Sequence, residues 1–524
     1  MKGFIARSRG LLPSWAVITM TVVAATVLLV ACVVAVPPIP PAPTATPTPA
    51  PTATPLPLKA LKLSPEKGYA GASFTVTGEG LTPGKAVQFQ WVTLNGGFDT
   101  KASAENVEFY EPKFVEQRVV LGNAVADAVG LARATFVAPE DFGDVHDIYA
   151  LVDGQQVARG GFIILRSATM TPTQGPVGTP ITITVKGLSW EPFKRTLALR
   201  YDNKYMGFVS TVTTKGTAVF QIRAAGPVGA RTIQLQQSST AQPYLNVQQS
   251  PTAYLWDHIP EREFRWVFTV TKDDGAPPPA IEFPDGRLVA AVSDAAPRTT
   301  KAAVTVALAF SAVVEPARGP ILSRAALRAD RLPPRAEIEL IWVSARGNRL
   351  SPSGWNLTEK PLQKATTDEG GSLRATIQVP DDLGGWHSIR LVQGERLLAE
   401  TPYYVERSFV DVSPKRVKSG ETFTIQLKGI GWTELDNGFA ATYDNAYIGY
   451  ACGFNSNGDV TMTMVATGGP GTHLIDIYPY MFQGVHGKPP WTYQIPQLTA
   501  LRDHPGLALG YNLPIFRLAI QVTE

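Results

Sequence analysis

The sequence predicts an all-β protein of four tandem β-sandwiches, and three observations carry that expectation. Runs in which apolar and polar residues alternate, such as FTVTGEG, ITITVKG, TIQLKG and FRWVFTV, recur along the 524 residues. A period of two is that of a strand with one buried face. Pro, Gly and Asx residues punctuate these runs every ~8 to 12 positions, the spacing of antiparallel strands in a sandwich. The third observation is an internal repeat. Pro172 and Pro414 lie 242 positions apart (414 − 172), and the same offset brings Gly178 onto Gly420, Lys186-Gly187 onto Lys428-Gly429, Trp190 onto Trp432 and Gly216 onto Gly458 without a gap.

A second pair of segments repeats as well. DAVGLARATFVAP from Asp127 matches DEGGSLRATIQVP from Asp368, and LTPGKAVQFQWV from Leu81 matches LPPRAEIELIWV from Leu332. The chain therefore reads A, B, A′, B′, a two-domain unit duplicated once, which fits a length too great for a single core. The expected boundaries are 59–167 for A, 168–271 for B, a linker over 272–300, 301–407 for A′ and 408–524 for B′. The apolar stretch from Ala302 to Val314 has 13 residues, short of the ~20 that cross a bilayer, and reads as the opening strand of A′.

The first residues set the compartment. An uncharged run of 22 residues from Trp15 to Val36 carries Lys2, Arg7 and Arg9 on its N-terminal flank only, so 1–36 is expected to be a signal peptide or signal anchor that exports everything after it. Leu29-Val30-Ala31-Cys32 resembles the lipobox of bacterial lipoproteins, which implies lipidation of Cys32; the apolar VVAV after it favours an uncleaved anchor instead, and both routes stand. Residues 37–58, PPIPPAPTATPTPAPTATPLPL, are too poor in backbone donors for helix or sheet and read as an extended polyproline-like spacer. The expected location is the outer face of a bacterial membrane, with the membrane itself as partner through the N-terminus. Cys452 is the second of only two cysteines, so packing rather than a disulfide has to stabilise the exported part. Forty-seven Lys and Arg against 44 Asp and Glu leave a charge of +3, too little bias to imply nucleic acid or an acidic surface as partner, and none is expected.

The motifs SPEKGYAGASFTVTGEGLTPG from Ser64, TPTQGPVGTPITITVKGL from Thr171 and SPKRVKSGETFTIQLKGI from Ser413 each combine a Pro, a Gly pair and an alternating strand that ends in Gly. They resemble the IPT/TIG-type and related immunoglobulin-like domains of bacterial surface proteins, as does the closing GGPGTHLIDI from Gly468. A′ departs from the pattern, its EPARGPILSRAALRADRL lacking the second Gly. The resemblance implies four tandem immunoglobulin-like β-sandwich domains and a role in adhesion, spacing or ligand display, without catalysis or cofactor.

Within that frame the polar clusters divide into turns and sites. YDNKYMGF from Tyr201 recurs as YDNAYIGY from Tyr443, and the paired Asx residues between strand-like runs read as hairpin turns. His146, His387 and His473, with Arg231 in B, fill one repeat position, which points to a recurring structural hydrogen bond or a solvated strand face; only His146 has flanking acids, Asp144 and Asp147, that suggest a metal. Asp257-His258 and Asp503-His504 read as loop anchors, FNSNGDV from Phe454 as a turn rather than a calcium loop, and GEGLTPGKA lacks the spacing of a phosphate loop. HExxH, GxSxG and paired-Cys motifs are absent from the sequence. The ligand-binding expectation falls on Tyr478, Tyr480, Phe482, Trp491 and Tyr493 of B′, aromatic where B is polar, against packing of those rings within the fold. Projection of B′ by stacked sandwiches is thus the first expectation, recognition of a polysaccharide or envelope partner by B′ the second, and an enzyme with groups converging between units the third.

Overall fold

The computed structural model describes residues 57–102, 107–192, 194–238, 241–245, 263–290, 310–347, 355–453, 456–482 and 492–524. The targeting segment, Cys32 and nearly all of the spacer lie outside them. Among the described residues no helix is long and apolar enough to cross a membrane.

Leu58–Glu524 is one compact unit made of strands. B, A′ and B′ each pair a three-stranded sheet with a larger one. In A the two layers share Lys59–Ser64, which pairs antiparallel with Ser73–Gly78 and, through Lys59 and Ala60, parallel with Gln155–Leu165. The alternation that predicted strands is the alternation of burial: Ser73–Gly78 and Pro180–Lys186 put every second side chain into a core. Each sandwich has its own core, anchored by Phe74, Trp91 and Phe162 in A, Ile183, Leu199 and Phe268 in B, Trp342 and Tyr403 in A′, and Phe423, Phe439 and Phe516 in B′.

Two departures from the repeat bind the sandwiches to one another. The residues 280–290, within the span read as a linker, form the strands Ala280–Glu282 and Leu288–Ala290 around an Asp285-Gly286 turn; the first of them adds antiparallel to Ile515–Thr523 and extends the large sheet of B′. The second departure is a longer hairpin in A. Gly96↔Phe114 of A corresponds to Gly347↔Trp355 of A′, but in A the strands Ala86–Ala102 and Val107–Val125 continue pairing to Ala102↔Val107. That extension carries Phe98, Val107 and Phe109 into a cluster with Phe208 of B, Tyr404 of A′ and Leu435, Met481, Ile495, Tyr511 and Leu513 of B′. All four sandwiches meet there, and removing such area from water is the main term holding them together. The backbone joins in, Phe109 N–H donating to Glu434 Oε2 at 2.9 Å. B′ thus folds back on B and A, and the linear stack that would have made B′ the far tip is replaced by a closed arrangement.

Candidate functional site

Asp202 and Asn203 have φ of 48° and 63°, and Asp444 and Asn445 have 46° and 60°. Positive φ at both central residues is the type I′ hairpin turn, which matches strand twist and which Asx residues tolerate. The Asp202 carboxylate accepts from Thr232 N at 2.8 Å and from Arg231 Nη1 at 3.1 Å. Tyr201 OH donates to Ala225 O at 2.9 Å, and its counterpart Tyr443 to Thr467 O at 2.8 Å. The tyrosine hydroxyls at 201 and 443 and the Asp202 carboxylate are therefore consumed by the sandwich that holds them. The remainder of the motif builds an internal interface. Tyr205 and Tyr447, equivalent under the repeat, meet edge to face with centroids 6.4 Å apart. Gly207 gives the close approach its room: Pro496 of B′ bonds Phe208 N–H at 3.0 Å, and a Cβ on residue 207 would lie 2.5 Å from Pro496 O.

Two members of the aromatic set of B′, Tyr478 and Tyr480, are buried. Tyr478 is fully buried, its hydroxyl 2.8 Å from Arg517 Nη1. Arg517 also donates to Asp476 at 3.0 Å, Glu282 at 2.9 Å and Gln221 O of B at 3.1 Å, while Arg223 of B reaches Asp476 at 2.5 Å. Burial works against the Arg517 charge, but Tyr478, Asp476 and Glu282 outweigh it and raise its pKa. Losing one partner of a buried pair costs about 3–5 kcal/mol because it strands the other charge, which marks this network as structural. Tyr480 is buried too and donates to Asn437 Oδ1 at 3.0 Å. Neither ring is at the surface: Tyr478 packs into the core cluster of B, and Tyr480 packs within B′ against Tyr450. Phe482 and Tyr493 sit on the paired strands Met481–Phe482 and Thr492–Tyr493, and Trp491 lies outside the described residues.

His146, His387 and Asp503 are likewise internal, while Asp257-His258 lie outside the described residues. His146 stacks on Trp91 and His387 on Trp342 with centroids 4.5 and 4.6 Å apart, and each indole N–H donates to an aspartate, Asp141 at 2.9 Å and Asp382 at 3.0 Å. The acids flanking His146 diverge, Asp144 to Ser189 and Lys194 at 3.0 Å each and Asp147 to Arg159 at 2.7 Å. Among the described residues no three His, Cys, Asp or Glu side chains gather as metal ligands. Asp503 is an anchor across the B–B′ interface: it accepts from Ser210 Oγ at 2.7 Å, Val212 N at 2.9 Å and Thr213 N at 2.8 Å.

Among the described residues, a cleft of about 400 Å³ lies open between the extended hairpin of A and the 189–195 loop of B, lined by Asp99, Glu111, Pro112, Lys113, Phe114, Trp190, Pro192 and Arg195. Sequence reasoning missed it because its residues are far apart in the chain; the extra hairpin length in A was the available signal. Trp190 is half-buried and its edge packs on Phe142 at 6.2 Å. In the second copy the same corner is shut, Trp432 being buried under Trp355 and Leu357, which stand where A has Phe114 and Glu116. Two acids, two bases and two aromatic rings can satisfy a hydroxyl-rich ring; a purely anionic or cationic ligand would face like charge.

No known family model matches this chain, and no curated protein matches it. Among solved structures it is similar to the ICAM-5 D1–D4 ectodomain fragment, at 12% identity over 88% of this chain and 99% of the other, with a TM-score of 0.17. It is also similar to a protein described as membrane anchored from Corynebacterium diphtheriae, at 12% identity over 66% and 89% of the two chains with a TM-score of 0.16. The adhesin InvE of Yersinia pseudotuberculosis follows at 10% identity over 70% and 66%, with a TM-score of 0.14. Scores of this size carry no argument about function.

Proposed function

We propose that this chain is a non-enzymatic protein of the bacterial cell surface, held by its N-terminus through Cys32 lipidation or an uncleaved anchor, that displays its immunoglobulin-like sandwiches on a proline-rich spacer. The observation that carries the reading is the cluster in which all four sandwiches meet: it turns the chain beyond the spacer into a single body for presentation at a distance from the membrane. The likeness of the Ser64, Thr171 and Ser413 motifs to IPT/TIG-type domains supports the same reading, as does the structural employment of His146, His387 and Asp503.

Protease treatment of intact cells tests it. Cleavage is expected within 37–58, releasing one fragment that spans the four sandwiches and resists further digestion. A chain inaccessible from outside, or one cut between sandwiches, contradicts it.

A second reading has its own observation. The A–B cleft is open where its A′–B′ counterpart is plugged, and its mixed lining suits a saccharide unit of a cell-wall polysaccharide. Recognition, on this reading, belongs to the first pair rather than to the C-terminal domain.

A further inference from the structure

The four sandwiches fill one strand position with His146, Arg231, His387 and His473, and each of these side chains bonds the carbonyl four residues earlier. The acceptors are Phe142 O at 2.7 Å, Pro227 O at 2.6 Å, Leu383 O at 2.7 Å and Gly469 O at 2.9 Å. Each also meets a second oxygen: Val92 O at 2.8 Å, Asp202 Oδ2 at 3.1 Å, Val343 O at 2.9 Å and Asp444 Oδ2 at 2.6 Å. Backbone carbonyls and ionised carboxylates only accept. A position with an acceptor at both ends is fully satisfied only by two N–H donors, and arginine supplies them at every pH. Neutral imidazole has one, and only imidazolium has two.

His473 is the copy in which this requirement meets negative charge on two sides. Asp444 arrives from the hairpin turn, and Asp273 from the segment that leaves B, its carboxylate held by Thr472 N at 2.7 Å and Thr472 Oγ1 at 2.6 Å. The Tyr443 ring stacks on the imidazole at 5.4 Å, its hydroxyl committed to Thr467 O. These are the titratable groups that face His473. The clamped turn touches B directly, because Asn445 Nδ2 donates to Arg223 O at 2.7 Å.

We propose that His473 is a protonated latch, an imidazolium that performs in B′ what Arg231 performs permanently in B, and that loss of its proton removes one of its two hydrogen bonds and the charge facing Asp444 and Asp273, loosening the turn and the segment at the B–B′ interface.

Burial alone would lower the His473 pKa, but the Asp444 bond and charge, the Gly469 carbonyl and Asp273 reverse this and raise it above the ordinary value near 6.5. Stabilisation from a raised pKa is complete below the unfolded value and lost as pH climbs through the folded one. The latch therefore holds below the ordinary value near 6.5 and releases as pH rises through the raised one. At His387 burial dominates over Asp382 and the two carbonyls, and the pKa is lowered. No alkaline release is therefore expected at His387.

Two measurements on the exported chain, residues 57–524, test the latch. In an NMR pH titration, the His473 ring is expected to hold both N–H protons above pH 6.5 and to lose one on the alkaline side. Asp444→Asn is expected to shift that titration downward. In thermal unfolding between pH 6 and 9, His473→Arg is expected to remove an alkaline loss of Tm of about 2–4 °C that the parent shows, the size expected of a single clamp in a large domain. Arg231→His is expected to introduce such a loss in B. A His473 ring that titrates at or below the ordinary histidine value overturns the proposal even if the arginine variant fails to fold. Parallel pH profiles for the parent and His473→Arg overturn it as well.

Discussion

His504 shows the opposite solution to burying a histidine. Its Nδ1 accepts from Gly506 N–H at 3.0 Å, leaving Nε2–H to point at Tyr480 O, so one proton satisfies both ends. Burial, reinforced by the nearby Arg407 charge, pushes its pKa down from 6.5 to about 4. A lowered histidine value means that the unfolded chain takes up the proton first. Stability is then whole above pH 6.5 and lost as pH falls toward about 4, a loss of about 3 kcal/mol by the end of that window. His504→Gln is expected to flatten this acid limb in a Tm-versus-pH series, and an unchanged limb would contradict the assignment. At this scale the sequence was partly legible. The repeat points to a loop anchor at Asp503-His504 and to turns in the Tyr-Asp-Asn motifs, and the positive φ of the Asx pairs in those motifs is the turn chemistry they spell. The partners of Asp503 were not legible, since Ser210 stands 293 positions away and nothing local names it.

The strands and hairpins explain which parts of the repeat diverged. Alternating runs placed the sandwich strands, but Gly438–Tyr443 is buried at every residue. Its sequence GFAATY hardly alternates, a signal of a strand covered on both faces that a one-faced reading passes over. The strands at 280–290 were hidden by neighbouring prolines, although IEF and LVA flank an Asp-Gly turn, the usual mark of a hairpin. The longer hairpin of A has two consequences, contact with B′ and one wall of the open cleft. If that cleft binds saccharide, Trp190→Ala is expected to weaken binding on a glycan array about tenfold, the loss of one stacked ring. Arg195→Ala and Lys113→Ala, at sites without an ion pair to any described residue, are expected to weaken it while leaving Tm unchanged. Binding that survives all three substitutions would remove the cleft from consideration.

For the whole molecule, the defining feature is that a duplicated pair closed on itself. Equivalent faces of B and B′ meet, as Tyr205 against Tyr447 shows, and the meeting is reinforced by Arg223, Asp476 and Arg517 in a buried network and by Asp503 reaching into B. Duplication was plain in the sequence, because an offset of 242 needs no gap. That the copies pack on each other was not, since a repeat fixes equivalent surfaces without saying which surfaces touch. The central claim is therefore the B–B′ contact, and site-directed photo-crosslinking tests it most directly. With benzoylphenylalanine at position 205 of the full chain, the crosslinked peptide identified by mass spectrometry is expected to come from Ala446–Cys452 of the same molecule. Crosslinks confined to B, or to a second molecule, would contradict it.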